Sequence, residues 1–214
     1  MTIKPGEAWG RQVPRPHDLV TVRSDQELVA ALAGSDDRPI AVGSGDLART
    51  LGVTSSNERA SNERASNERA SVNEFAIDLL DVRLDGASEP IVACAHVVAR
   101  SRWRRGHWLS GPILAVMNAE FIGEWEVAPR GHPNDGRAEV FDVDAAMSVR
   151  HRLAARRRLR NATHIPHPLI STRSIRTATW TFPRPLDVIV DGRSVGRATT
   201  LTVDVRPDAA IVYV

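Results

Sequence analysis

Most of the chain after residue 75 shows short apolar runs of the kind that form β-strands. Runs rich in β-branched residues, bounded by turn residues, predict strands at residues 75–84, 91–99, 112–121, 138–143, 174–182, 186–190, 199–205 and 210–214. Asp85-Gly86 and Asp191-Gly192 are predicted turns. One helix is predicted, from near Ser148 to about Arg160. Short strands at this spacing indicate a β-sandwich or an open barrel rather than a wound parallel sheet.

The beginning of the chain has a different pattern, in which strand and helix signals alternate. Residues 1–16 are rich in Pro, Gly and Arg and are predicted to form an irregular arm. A strand at 19–22, a helix at 27–33 with Ser24 as its N-cap, a strand at 39–42 and a helical stretch at 46–51 follow. This is a β-α-β-turn-α fragment of a Rossmann-like layer, and it is too short to be a complete nucleotide-binding domain.

Between these regions the chain repeats a five-residue unit. Ser-Asn-Glu-Arg-Ala occurs in tandem over residues 56–70, and Ser71 begins a copy that breaks off. A period of five matches neither the helical nor the strand period, and the unit contains no apolar residue larger than Ala. We therefore expect a solvated loop insertion without a chemical role, with a charged partner-binding segment as the alternative.

These patterns together predict the fold class α+β, mainly β. We divide the chain into an N-terminal arm with a truncated Rossmann-like β-α-β remnant (residues 1–52), a polar loop insertion (53–74) and a β-sandwich domain (75–214).

Composition is that of an ordinary globular protein. The chain is 42% hydrophobic and 25% charged, which argues against wholesale disorder, and its apolar runs fall short of the roughly 20 residues of a membrane-spanning helix. Cys94 is the only cysteine, so no intrachain disulfide can form, and the N-terminal residues lack the apolar core of a signal peptide. We expect a cytoplasmic protein, with peripheral contact at a membrane as a further expectation.

Arginine is unevenly distributed along the chain. Residues 96–110 contain four arginines and residues 147–163 contain six, and neither window contains an acid. Those ten account for +10, so the rest of the chain, at a total of +2, carries −8. One interpretation is that long arginine stems cover apolar surface. The other is that the patches bind a lipid headgroup, a nucleotide phosphate or an anionic membrane surface. No nucleic-acid motif accompanies them, so nucleic acid is not an expected partner.

The chemically informative segment of the N-terminal region is a glycine turn between a strand and a helix. Glycines at 43 and 45 permit close approach of backbone N–H groups to an anion, and a helix N-terminus adds its dipole. The pattern predicts phosphate binding by Gly43, Ser44, Gly45, Asp46 and Arg49, with an ordinary turn as the alternative.

Four segments together resemble the diacylglycerol kinase family, which includes bacterial lipid kinases and sphingosine kinases. Gly-Ser-Gly-Asp-Leu-Ala-Arg-Thr-Leu-Gly (43–52) is similar to the family's Gly-Thr-Gly-Asn-Asp-Leu-Ala-Arg segment. Residues 128–140 resemble its Ala-Pro…Pro-Asp-Asp-Gly-x-Leu-x-Val, and residues 164–168 resemble its basic-His-Pro stretch. Residues 190–193 stand where the family has an Asp-Gly-Glu hairpin. The order and spacing of these segments agree, over residues 39–214.

The resemblance implies a Rossmann-like N-terminal domain that contacts nucleotide phosphates, packed on a β-sandwich domain, with the active site between them. It also implies ATP and Mg²⁺ as cofactors and a lipid hydroxyl as the phosphate acceptor. Asp135 is the implied Mg²⁺ ligand, and its alternative is an aspartate that caps the turn before Gly136.

Three departures from the family's pattern bear on function. The Gly-Gly-Asp-Gly-Thr motif of the family is absent, and too few residues precede Gly43 for a full nucleotide domain. The Asn of the second motif is missing, so Asp46 follows Gly45 directly, and Arg193 replaces the Glu of the hairpin. Phosphoryl transfer depends on positioning and on charge stabilisation. We therefore predict a degenerate relative that binds a lipid or nucleotide phosphate. The alternatives are an active ATP-dependent lipid kinase and a structural or protein-interaction module.

Two further pairs of side chains were considered as reactive sites. His164 and His167 lie in a Pro-containing segment without a third metal ligand, so a metal site is not expected. Cys94 and His96 are predicted to share one face of a buried strand, with Cys94 as a structural cysteine and a thiol–histidine pair as the alternative. A truncated first layer leaves apolar surface uncovered, so we expect either a homodimer or the arm at 1–16 folding back over that surface.

Overall fold

A computed structural model of the chain describes residues 9–34, 37–53, 71–101 and 108–214. Outside the described residues lie the first half of the predicted arm, the Ser-Asn-Glu-Arg-Ala repeat up to residue 70, and the arginines at 102, 104 and 105. No helix in the described part of the chain combines the length and the apolar character needed to cross a membrane.

The predicted β-α-β-turn-α layer is present at the N-terminal end. Its elements, after a first strand β1 (Arg11–Pro14), are β2 (Val20–Val22), α1 (Asp25–Ala33), β3 (Ile40–Val42) and α2 (Asp46–Thr50). Strands β2 and β3 are parallel. The amide of Glu27 donates to Ser24 Oγ over 3.1 Å, which confirms Ser24 as the N-cap of α1.

The rest of the described chain is mainly β, as predicted. Its elements are β4 (Ser71–Leu84), β5 (Ile91–Ala93), β6 (His96–Arg100), β7 (Ile113–Met117), β8 (Phe121–Ile122), β9 (Trp125–Glu126), β10 (Ala138–Val143), α3 (Val149–Arg158), a 3₁₀ turn (Leu159–Asn161), β11 (Ile170–Ile175), β12 (Thr177–Val190) and β13 (Arg193–Tyr213). The predicted helix near Ser148 is therefore confirmed, as are the turns at Asp85-Gly86 and Asp191-Gly192.

One large sheet runs through both regions of the described chain. Its order is β1-β4-β13-β12-β6-β7-β10-β11, with antiparallel pairing along this path. Strand β5 adds to β4, and β3 connects β2 to β13. Strands β8 and β9 form a separate hairpin.

The sheet curves around a core made by one of its faces. Seven of its strands contribute fully buried residues to a single cluster, among them Leu80, Ala93, Val97, Val116, Val140, Val188 and Leu201. The long strands β12 and β13 shift register between Thr181 and Leu186, and β13 shifts against β4 between Arg206 and Ala210. Such irregularities bend strands, which allows the sheet to close over its own apolar face.

Most predicted strands after residue 75 have different bounds in the structure. The strand expected at 174–182 is divided between β11 and β12, and β12 also contains the strand expected at 186–190. The strand expected at 91–99 breaks at Cys94 and Ala95, so that β5 pairs with β4 while β6 pairs with β7 and β12. The strand expected at 112–121 ends at Met117. The strands expected at 199–205 and 210–214 are parts of the single long strand β13, because a register shift absorbs the polar residues between them. Apolar runs do not reveal such corners and bulges.

The arm and the end of the loop insertion also differ from the prediction. Residues 11–14 form β1 and pair with the first residues of β4, which begins at Ser71 rather than at Phe75. The ring of Trp9 packs on Phe75 with 4.7 Å between centroids, and its indole N–H donates to the Ala76 carbonyl over 3.1 Å. The end of the arm thus covers apolar surface of the first layer, which is one of the two arrangements expected. The domain boundaries at 52 and 74 stay predictions.

Candidate functional site

The predicted phosphate-binding turn lies between β3 and α2, and an internal carboxylate occupies it. Gly45, at φ +120°, leads into α2. The amide of Asp46 donates to Asp25 Oδ2 over 2.8 Å, and the amide of Leu47 donates to Asp25 Oδ1 over 3.2 Å. Asp25, at the start of α1, is only 7% exposed. The amides that a phosphate would use are therefore bound to Asp25.

The other predicted phosphate-binding residues also have partners within the protein. The Gly43 amide donates to the Val22 carbonyl over 2.9 Å, and the Ser44 hydroxyl donates to the Arg23 carbonyl. The guanidinium of Arg49 stacks over the Phe121 ring at 4.2 Å from its centroid. The structure thus brings the predicted residues together around one turn, and phosphate binding by them stays a prediction.

The Asp-Gly hairpin between β12 and β13 meets the same region from the other side. Asp191 is 7% exposed, and its carboxylate accepts the amides of Cys94, Ala95 and His96 over 2.9, 3.0 and 2.9 Å. It thereby holds the corner between β5 and β6. Cys94 is fully buried, and burial raises the pKa of its thiol, as expected for a structural cysteine.

Asp46 joins this group of acids at the corner. Its Oδ1 accepts the amide of Gly123 over 2.7 Å, and its Oδ2 lies 3.4 Å from Nδ1 of His96, close enough for an ion pair but outside hydrogen-bond geometry. Burial raises the pKa of Asp46, and the neighbouring His96 acts in the opposite direction. Burial also raises the pKa of Asp25 to about 7, although the amides of Asp46 and Leu47 oppose this shift.

Asp25 makes the stability of the fold depend on pH. A carboxyl group with a pKa of about 3.9 in the unfolded chain and about 7 in the folded protein binds a proton on folding between those values, so stability falls as pH rises through this window. The wild type should lose stability between pH 4 and 8. In Asp25→Asn we expect this loss in the free energy of unfolding to be smaller by about 2–4 kcal/mol. Urea denaturation at several pH values measures it. Asp37→Asn, at an exposed position, should retain the wild-type profile, and an unchanged slope in Asp25→Asn would contradict the assignment.

The predicted Mg²⁺ ligand Asp135 lies in a turn that is held by other carboxylates. Its Oδ1 accepts the amide of Arg137 over 2.9 Å. The fully buried Asp78 accepts the amides of Gly136 and Asp208 over 2.7 and 2.8 Å, and burial raises its pKa to about 6. Among the described residues no group of three or more His, Cys, Asp or Glu side chains is placed to hold a metal. These carboxylates accept backbone amides in the turn. Metal binding at Asp135 stays a prediction.

A cavity lies on the outer face of the sheet, beneath α3. Its volume is about 100 Å³, and it opens to the solvent. Its wall is almost wholly apolar, with Trp108, Ile113, Trp125, Phe141, Leu159 and Ile170 among its residues. The two tryptophan rings pack edge to face, with centroids 5.7 Å apart.

Two buried polar side chains interrupt the apolar wall. Arg152, which is 5% exposed, points from α3 into the protein, where its guanidinium donates to the carbonyls of Met147, Trp108, Gly111 and Asp144. His164, which is 4% exposed, lies beside the Phe141 ring, with 5.8 Å between the centroids. Both line the cavity.

The sequence contained only a faint signal for this second site. The sequence predicts the arginine-rich helix. Nothing in the sequence of that helix distinguishes the buried Arg152 from the exposed arginines beside it. Of the two histidines considered as a metal pair, His167 accepts the amide of Leu169 at Nδ1 over 3.1 Å, and His164 lines the cavity. The cavity is formed by residues far apart in sequence, so only the fold reveals it.

The fold has known counterparts among solved structures. No family model matches the sequence, and no curated protein matches it. A crystal structure described as "a putative diacylglycerol kinase from Bacillus anthracis str. Sterne" matches with a TM-score of 0.64 and 12% identity, over 91% of this chain and 77% of that chain. A structure of diacylglycerol kinases from the same organism matches with a TM-score of 0.60 and 14% identity, over 91% of this chain and 75% of that one. This chain has the diacylglycerol kinase-like fold.

Proposed function

We propose that this diacylglycerol kinase-like protein binds the acyl chain of a lipid and does not transfer phosphate. The cavity beneath α3 is the observation that carries the proposal. Its apolar wall matches a hydrocarbon chain, because burying such a chain removes apolar surface from water on both sides of the contact. The likeness to diacylglycerol kinases agrees with a lipid ligand, although a shared fold alone does not establish one.

An exposed cation at the opening fits the approach of an acidic lipid. The guanidinium of Arg156 stands over the Trp125 ring, 5.0 Å from its centroid. Arg156 is exposed and lines the cavity. A cation at the edge of an apolar cavity attracts an anionic lipid toward the opening.

The outer face of α3 fits a membrane surface. Val149 and Leu153, one helical turn apart, are 49% and 43% exposed, and the arginines at 150 and 157 are exposed beside them. Apolar side chains flanked by arginine are typical of helices that lie on anionic bilayers. We include in the proposal a peripheral contact of α3 with such a membrane, from which the lipid is taken.

The absence of phosphoryl transfer is proposed from the geometry of the glycine turn. Asp25 binds the two amides at the start of α2, so a nucleotide phosphate would have to displace a buried carboxylate. Arg193, exposed in the hairpin where the related kinases have Glu, offers no carboxylate for a metal-bound nucleotide.

A brominated monoacylglycerol tests chain binding. Bromine quenches tryptophan fluorescence at short range, so 1-(9,10-dibromostearoyl)glycerol should quench Trp108 and Trp125 saturably. Ala155→Phe places a ring in the cavity from α3 and should weaken binding at least about tenfold. Ala154→Phe, on the exposed side of the same helix, is the matched control and should bind as the wild type does. Equal affinities of the two variants would place the chain outside this cavity.

Phosphoryl transfer is tested separately, with diacylglycerol, Mg²⁺ and labelled ATP. We expect no labelled phosphatidic acid above the level without protein. Stoichiometric product that is abolished by Asp135→Ala would support the alternative of an active lipid kinase.

A further inference from the structure

His164 is an unsatisfied polar group at the wall of the cavity. Neither of its ring nitrogens makes a hydrogen bond with any described residue, and both are buried. The backbone of Val127 is near enough to influence the imidazole but does not satisfy it. A buried donor and acceptor without partners are costly, so such a group in a folded protein usually meets a water molecule or a ligand.

Arg152 places a positive charge at the same cavity. Its guanidinium is held by backbone carbonyls. The Asp144 carboxylate is near enough to favour its charge, but no described carboxylate is within ion-pair distance of it. A buried cation that makes no direct ion pair can still accept an anionic ligand.

We propose that the cavity binds a long-chain carboxylic acid, with its carboxylate hydrogen-bonded to His164 and facing the guanidinium of Arg152. This inference rests on the proposed lipid-binding function and names the class of lipid. The polar group of the ligand is then inside the protein, because His164 and Arg152 are buried whereas Arg156 at the opening is exposed. The hydrocarbon chain lies along Phe141, Trp125 and the other apolar residues of the wall.

The chemistry of the two side chains favours a carboxylate over other lipid headgroups. A single negative charge matches the single buried cation, and a carboxylate oxygen accepts the N–H of a neutral imidazole. A phosphate ester carries more oxygens than one imidazole N–H and an otherwise engaged guanidinium can satisfy. An ester or an alcohol would leave Arg152 without a direct ion-pair partner.

Two ligands with one chain test the assignment. 9,10-Dibromostearic acid and its methyl ester quench tryptophan equally well but differ in the charge of the headgroup. We expect the acid to bind the wild type about tenfold or more tightly than the ester. His164→Phe retains an aromatic ring but loses both nitrogens. It should weaken binding of the acid by about ten- to hundredfold and binding of the ester by about threefold or less.

The pKa of His164 can be measured by NMR titration of the wild-type protein. This test does not depend on whether a substituted protein folds. In the protein without a ligand, burial lowers the pKa of the His164 imidazole. A carboxylate next to the ring favours the imidazolium, so the acid should raise this pKa and the ester should leave it unchanged. Equal affinity for acid and ester, or a pKa of His164 that the acid does not move, would overturn the inference and leave the lipid-binding function standing. If neither ligand quenches the wild type, the lipid-binding function fails as well.

Discussion

Asp191→Ala is expected to lower the free energy of unfolding by about 4 kcal/mol, the largest effect of any single change at the junction of the two regions. The Asp191 carboxylate accepts three backbone amides at the corner between β5 and β6, and these amides are buried. The alanine side chain cannot accept a hydrogen bond, so the substitution leaves all three amides without the carboxylate that they bind. Urea denaturation at pH 8 measures the loss.

Asp191→Asn distinguishes the contribution of the carboxylate to stability from that of the backbone conformation of the turn. Asp191 has φ +46°, a left-handed conformation that asparagine adopts as readily as aspartate. The amide group offers one acceptor oxygen in place of two, so we expect an intermediate loss of about 2 kcal/mol. The change also removes a charge that raises the pKa of Asp25, which should therefore fall. A loss below about 0.5 kcal/mol in both variants would show that Asp191 does not hold the corner.

Gly45→Ala is expected to cost about 3 kcal/mol, because two independent constraints meet at this position. Gly45 has φ +120°, which side-chain-bearing residues rarely adopt, and a Cβ there would stand 2.5 Å from Asp25 Oδ1. The methyl group would displace the carboxylate from the amides of Asp46 and Leu47 and leave it buried without partners.

Gly52→Ala is the matched control for Gly45→Ala. Gly52 has φ +85°, also in the left-handed region, but a Cβ there meets no atom within 4 Å. It should cost only the backbone strain, about 1 kcal/mol. The difference between the two variants in chemical denaturation isolates the contact with Asp25. Equal losses would mean that the close approach of Asp25 contributes nothing to stability.

These two positions give a structural meaning to the motifs that resemble the lipid kinases. Because Gly45 has no side chain, the Asp25 carboxylate can approach the start of α2 and accept its amides. The Asp191 carboxylate accepts backbone amides at the corner between β5 and β6. In this chain both motifs thus make internal contacts between elements. A motif match indicates the backbone shape with more certainty than the ligand, because the same backbone amides can donate to an internal carboxylate or to a phosphate.

The elements that the sequence predicted correctly are those specified by local patterns. Ser24 and Ser148 cap α1 and α3 through their own side chains. The turns at Asp85 and Asp191 require φ above zero, for which Asp-Gly is well suited. The apolar run at 138–143 forms β10 with the predicted bounds. Each of these signals acts within a few residues, so no knowledge of the remaining fold was needed.

Other features depended on contacts between distant parts of the chain. The corner between β5 and β6 is held by the carboxylate of Asp191, about a hundred residues later in the chain. Strand β1 forms because residues 11–14 pair with the edge of β4. The cavity and the burial of Arg152 arise only when α3 packs over the sheet.

The sequence by itself determined the mainly β class, the helix caps, the hairpin turns and the likeness to the diacylglycerol kinases, since these reside in local residue types and their order. Tertiary structure alone decided that Asp25 fills the glycine turn and that His164 lies unsatisfied beside an apolar cavity. Burial sets the cost and the partners of a polar group, and burial is a property of the packed chain rather than of any segment of it.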